Sequence, residues 1–411
     1  MRYLRTVSTR RLLASIAGVV VAVGGGTAIA VAASSGGPVP PSKPLAQAIH
    51  DALGGPAITG ITARVTFTNR LIDSGSIQGS DPILTGATGR LWLSPSQHRI
   101  RLELQSDNGD AQVVLDRHSF SIYDPTANTV YKGTLPQDTT RKVTPNAAKA
   151  DTIPTVAQIQ ADLNKLLQHV NLGGVSPTDV AGQGAYRVTV TPKHDGGLLG
   201  SVQLAFDAAR GIPLTFAVFA QGSSSPVLQL TASNITFGAV PASDFAATPP
   251  SSAKVVTVAV PGGSADNAAS GKGRKNAKNH QHVTGPAAVA KRLSFKLVAP
   301  ARLVGLPRQS VSLLDWSGSP AALVTYGQNL GGIAVIEQKA GSATALPLSS
   351  DAGGEHHQGL SLPSVSISPG VSGQELDTAL GTMVRFTRGG VTYTVLGSVP
   401  AAAADAAARG L

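Results

Sequence analysis

A serine nucleophile on a strained strand-to-helix turn needs Gly-x-Ser-x-Gly, and that spacing occurs nowhere in the 411 residues. The zinc-binding HExxH pattern, the phosphate-cradling P-loop and GxGxxG are also absent. Of the nine histidines, four fall in the only two close groups, His280-Gln281-His282 and Glu355-His356-His357. Metal ligation needs side chains held convergent by structure, and both groups sit in Gly- or Lys-rich stretches, so the expectation is solvated loop histidines and no metal. There is no cysteine, which excludes disulfides, thiolate nucleophiles and an acylated lipoprotein cysteine. No catalytic residue and no cofactor emerge, and the chain reads as a non-enzyme.

The charged residues point away from nucleic acid. The net charge is +10, but Arg2, Arg5, Arg10 and Arg11 precede the first apolar run, and Lys272, Arg274, Lys275, Lys278, Lys291 and Arg292 share one acid-free stretch. Setting these ten aside leaves 23 basic residues against 23 acids, so the folded regions are neutral together. The cluster GKGRKNAK has two readings, a contact for anionic headgroups or wall polymers, and a solubilising linker.

What remains is apolar chemistry. Val65, Phe67, Leu91, Leu93, Ile100, Leu102, Leu104, Val188, Leu204, Phe206, Leu214 and Phe216 all fall at alternate positions of strand-like runs. Alternation puts such residues on one face of a sheet, where they line a cavity or fill a core; the period is the same for both.

Several elements must position them. Leu45, Ile49 and Leu53 recur at helical spacing until Gly54-Gly55-Pro56. ITARVTFTN, GRLWLS, RIRLELQ, AQVVLD, SFSIYD and NTVYKG then alternate, separated by short turn signals such as Asn108-Gly109 and Asp124-Pro125. That spacing predicts an antiparallel meander of hairpins. After Pro154 the period changes: Val156, Ile159, Leu163, Leu166, Leu167 and Val170 form the stripe of one amphipathic helix ended by Gly173-Gly174. Strands resume with YRVTVT, SVQLAFD, IPLTFAVFA and VLQLTASNITF, and a curved sheet embracing a helix satisfies both patterns.

Around these lie segments of other kinds. Leu12 to Ala33 carries no charge and follows four arginines, the layout of an export signal, and its 22 residues can span a bilayer core of about 30 Å. It has two readings, a retained anchor or a cleaved signal ending near Ala30-Val31-Ala32, and both send the rest outside the cytoplasm. Residues 1–33 are thus a signal or anchor and 34–44 a proline-rich spacer. Residues 45–247 form the first domain, 248–290 a basic Gly/Ala/Ser-rich linker and 291–411 a smaller α+β domain. In the last, FKLVAPARLVGL, SVSLLDW, AALVTYG, GGIAVIEQ and VRFTRGGVTYTVLGS read as strands, Arg388-Gly389-Gly390 as a hairpin turn and 401–411 as a helix.

The runs GRLWLSPSQHRIRLELQSDNGDAQVVLD, SIYDPTANTVYKGTLP and FDAARGIPLTFAVFA, in this order around a central helix, resemble the LolA-like superfamily between about residues 45 and 247. That superfamily includes lipoprotein carriers and two-domain periplasmic regulators of the RseB or MucB kind. The resemblance implies an α+β, mainly β fold, a half-open antiparallel β-barrel with covering helices plus a smaller α+β C-terminal domain. It also implies a concave apolar cavity for acyl chains, lined here by Val65, Phe67, Leu91, Leu93, Ile100, Leu102, Leu104, Leu204, Phe206, Leu214 and Phe216. Two kinds of partner follow: the acyl chains of a lipid or lipoprotein, or a membrane anti-sigma factor. The cytoplasmic membrane is a further partner if residues 12–33 stay uncleaved. Related actinobacterial members are lipoproteins, and this chain departs from them in having no cysteine to acylate.

Overall fold

The computed structural model describes residues 38–73, 82–107, 109–135, 153–246, 249–257, 283–316, 319–341 and 362–411. The 12–33 segment, the GKGRKNAK cluster and both histidine groups lie outside them. Among the described residues no helix is long and apolar enough to cross a membrane.

The chain enters through helix α1 (Leu45–Leu53) and strand β1 (Ile61–Asn69), then a helical turn α2 (Pro82–Thr85). Strands β2 (Gly86–Ser94), β3 (Arg99–Leu104), β4 (Ala111–Leu115), β5 (Ser119–Asp124) and β6 (Thr129–Thr134) follow as the expected meander, each antiparallel to the last. Helix α3 (Val156–Leu166) leads into β7 (Val170–Leu172), β8 (Ser176–Val180), β9 (Gln183–Pro192), β10 (Leu199–Asp207), β11 (Pro213–Ala220) and β12 (Pro226–Phe237). β12 returns to pair with β1, joining the two meanders into one sheet of thirteen strands among the described residues. The register slips between Arg64 and Val65, and a bulge at the join bends the strands and raises their twist.

Residues 176–180, 364–368 and 371–378 are strands that the alternation does not announce, and other elements differ from expectation in detail. Helix α1 buries Ala46, Ala48 and Ala52 while Leu53 is exposed, because small side chains let the helix lie close to the sheet. α3 stops at Leu166, and Val170 begins a strand instead of ending a helix. The linker expected from residue 248 begins with β13 (Lys254–Thr257), which adds in parallel to β6; its β-branched VVT run suits an edge. Of FKLVAPARLVGL only β14 (Arg302–Leu303) at its centre and Leu306, the first residue of the next strand, are strand; Phe295, Leu297, Val298 and Ala299 pack against the second core.

The second sheet contains β14, β15 (Leu306–Trp316), β16 (Ser319–Tyr326), β17 (Ile333–Lys339), β18 (Ser364–Ser368), β19 (Val371–Thr378), β20 (Gly381–Arg388) and β21 (Val391–Gly397). Their order is β14-β15-β16-β17-β21-β20-β19-β18. The short helix α4 (Pro286–Ala290) contributes Val289 to its core, and α5 (Ala401–Arg409) contributes Ala404, Ala407 and Ala408. Gly389 and Gly390 both take positive φ in the β20–β21 turn, a conformation that L side chains resist.

The two sheets meet largely through backbone, with the Ser398 hydroxyl also accepting the Leu198 N–H at 3.0 Å. Leu198 N donates to Ser398 O (3.1 Å), Leu330 N to Asp195 O (3.3 Å) and Ala379 N to Leu71 O (2.7 Å). The turn between β9 and β10 and the chain just beyond β1 are therefore where the first unit touches the second.

Candidate functional site

Directly opposed residues of neighbouring strands share a face, so the register shows which side chains stand together. One row runs Ile235, Ala63, Leu91, Leu102, Val113, Ile122, Tyr131 across β12 and β1 to β6. Beside it run Phe237, Ile61, Leu93, Ile100, Leu115, Phe120. On the other side of the join, Val188, Leu204, Phe216, Leu230 and Phe67 form a third row, and Ala232, Val65, Gly89, Leu104 and Ala111 a fourth. The strands thus gather nearly all of the sequence-derived residues on one continuous apolar face.

Burial divides them into two groups. Val65, Leu91, Leu93, Leu104, Phe206 and Leu214 are buried, and most of them pack with Val180 and Ala185 of the β8–β9 hairpin. Phe206 instead meets Tyr186, ring centroids 5.8 Å apart, beneath Ala48 and Ala52 of α1. These six are core. Phe67, Ile100, Leu102, Leu204 and Phe216 stay partly exposed. So do Val113, Leu115, Phe120, Ile122 and Tyr131, which continue the same rows and were not picked out from sequence. Their alternation is as regular as that of β3, but the runs are short and a five-residue strand has only two or three residues per face.

α3 lies against α1, with His50 Nδ1 2.9 Å from Pro154 O, and buries only Ile159 of its stripe; Leu166 is exposed. The opposite face is polar and secured. Arg101 pairs with Glu103 at 2.6 Å, stacks 5.0 Å over Trp92 and donates to Asp244 O in the 3-10 turn Ala242–Phe245 and to Ala246 O just after it. Both terminal nitrogens of Arg101 are thus engaged within the fold, while its Nε is buried without a hydrogen-bond partner among the described residues.

A separate polar centre lies in the second core. Ile333, Val335 and Glu337 alternate on one face of β17, so an acid stands in phase with the apolar positions. Glu337 Oε2 accepts the Val298 N–H at 2.8 Å, whereas Oε1 and the nearby Tyr326 hydroxyl are buried without hydrogen-bond partners among the described residues. Burial pushes the Glu337 carboxyl up to about 7, opposed by the Val298 N–H. Burial, then the Glu337 charge, push the Tyr326 hydroxyl up to about 12, opposed by Arg308. Sequence patterning does carry this signal: a lone acid continuing an apolar alternation. Among the described residues no three metal-ligating side chains converge.

No family model and no curated protein matches the chain. Among solved structures, MucB in complex with MucA(peri) is similar at a TM-score of 0.38 and 17% identity, over 89% of this chain and 94% of that one. The MucA/MucB complex of Pseudomonas aeruginosa gives 0.37 and 17% over the same shares. A LolA superfamily protein from Nitrosomonas europaea gives 0.20 and 10%, over 49% of this chain and 97% of its own. The chain itself is mainly β, with a first sheet of thirteen strands and a second of eight among the described residues.

Proposed function

We propose that this chain is an extracytoplasmic envelope protein, a carrier or sensor, that binds the acyl chains of a lipid or lipoprotein along the apolar face of its first sheet. The observation that carries the reading is the run of partly exposed apolar residues that starts at Ile100 and Leu102, which rest against the first core, and continues in register through Val113 and Leu115 to Phe120 and Ile122, which are not among the residues of that core. An acyl chain lying there needs no polar hot spot. At roughly 25 cal/mol per Å2, removing about 300 Å2 of apolar surface from water contributes several kcal/mol. The uncharged segment 12–33 behind four arginines supports an address outside the cytoplasm. No side chain is assigned a catalytic role.

The test is native mass spectrometry with organic extraction on the full chain purified from its own envelope. One lipid per chain is expected, with Leu102→Asp reducing occupancy at least tenfold because a buried carboxylate would face the ligand. A clean apo mass for the wild type refutes acyl binding. The same face would then be read as the seat of an apolar segment of a protein partner, an anti-sigma factor of the membrane, and a pull-down would decide it.

A further inference from the structure

The spacer ahead of α1 is no free tether where the structure describes it. Pro41 O accepts the Tyr186 hydroxyl at 2.7 Å, and Lys43 pairs with Asp51 at 2.6 Å. Pro38 passes so close to β9 that a Cβ on Gly184 would lie 2.8 Å from its carbonyl oxygen. Only four residues separate Ala33, the end of the uncharged run, from Pro38. Chain of that length spans at most about 18 Å.

The end of the fold where the strap arrives carries exposed apolar side chains. Val39 is 58% exposed, Leu53 51% and Ile153 44%. A chain of contacts brings them to the same end: Val39, Ala209 and Arg210 line one shallow pocket of about 170 Å3, Gly55 abuts the Ala209 carbonyl, and Ile153 Cδ1 lies 3.8 Å from the Cβ position of Gly54, next to Leu53 in sequence. This patch is separate from the apolar rows on the sheet.

We infer that this end of the first unit is a membrane-contact surface, with Val39, Leu53 and Ile153 resting in the interfacial layer of the bilayer that holds residues 12–33. The short connection selects the bilayer as occupant, since it keeps the patch within about 18 Å of the point where the chain leaves the membrane. Three small side chains would hold a free protein weakly, but tethering makes the contact intramolecular, at an effective concentration of order mM. The second unit then points away: β9 runs ten residues from Gln183 beside the strap, roughly 30 Å, to the turn that meets the second sheet. The proposal is independent of acyl binding and rests on the anchor reading of residues 12–33, which the same experiment examines separately.

Because the chain has no cysteine, one introduced cysteine takes a unique label. Full chains carrying Val39→Cys, Leu53→Cys or Ile153→Cys, each with an environment-sensitive dye, are reconstituted into vesicles of phosphatidylethanolamine and phosphatidylglycerol containing headgroup-region spin-labelled lipid. Val304→Cys and Leu330→Cys, 42% and 50% exposed in the wild type on the second unit, are the comparison sites. Quenching several-fold stronger at the first three sites is expected, and adding Leu53→Asp should cut it at least twofold at Ile153→Cys. Equal quenching at all five sites overturns the contact surface. A full chain that fails to float with the vesicles overturns the anchor and the contact surface with it.

Discussion

Glu337 is the residue whose chemistry is most exposed to test. It is fully buried, one oxygen holds the Val298 N–H, and the other faces apolar surroundings with Tyr326 and Tyr393 nearby. Its folded value of about 7 stands above the ordinary 4.5, so the protonated acid is the form that the core favours. The stability this confers is fully present below about pH 4.5 and is lost as pH rises through 7, by about 3 kcal/mol in all. Glu337→Gln keeps an acceptor for Val298 without a charge, so its denaturant-unfolding free energy should vary much less than wild type between pH 4.5 and 8. An unchanged pH profile in the variant would assign the dependence to another group. The acid's presence at an apolar phase is visible in GGIAVIEQ, but its partner Val298 is 39 residues away, and only the crossing of that segment over the sheet brings them together.

At the scale of elements, the two helices of the first unit are held in different ways. α1 is locked by Ala48 and Ala52 against the sheet, and a Cβ at Gly55 would fall 1.8 Å from Ala209 O, so neither can retreat without unpacking. α3 has only Ile159 buried and depends on its ends. Thr155 accepts the Gln158 N–H at 3.3 Å, and Gln158 Oε1 accepts the Thr155 N–H at 2.8 Å, a reciprocal capping box. Thr155→Ala should cost about 1 kcal/mol. Amide exchange at residues 156–160 should quicken about fivefold while β1 and β12 keep their protection; equal acceleration throughout would mean that α3 is integral to the core. The helical period of α3 was legible, including its leucines, but the period identifies an apolar stripe and says nothing of what covers it.

For the whole molecule, the contacts between units are short and made largely by backbone. Gly197 sits at φ +58°, and a Cβ there would meet Ser398 O at 2.2 Å. Gly197→Val should therefore wedge the β9–β10 turn away from the second sheet while leaving both cores intact. Small-angle scattering should then show a larger radius of gyration, with the far-ultraviolet dichroism unchanged; an unaltered radius would mean that further contacts hold the units.

The sequence by itself determined the β1–β6 meander, the strands β9–β12, most of β15–β17 and the β20–β21 hairpin, the break in period at α3 and the alternation that sets Val65 through Phe216 on one face, but not β7, β8, β13, β18 or β19. These follow from local rules, because a period of two and a turn signal act within a few residues. It could not separate Leu91, which is core, from Leu102, which stays partly exposed, since both occupy the same phase of adjacent strands and are direct partners in the register. That difference is made by what lies above each residue. Leu91 lies inside the cluster that Val180 and Ala185 of the β8–β9 hairpin join, Leu102 and Ile100 rest at its margin, and β4–β6 contribute no residue to it. Likewise the strap on Gly184 and Tyr186 depends on contacts some 145 residues apart, which no local pattern encodes and only the tertiary structure decides.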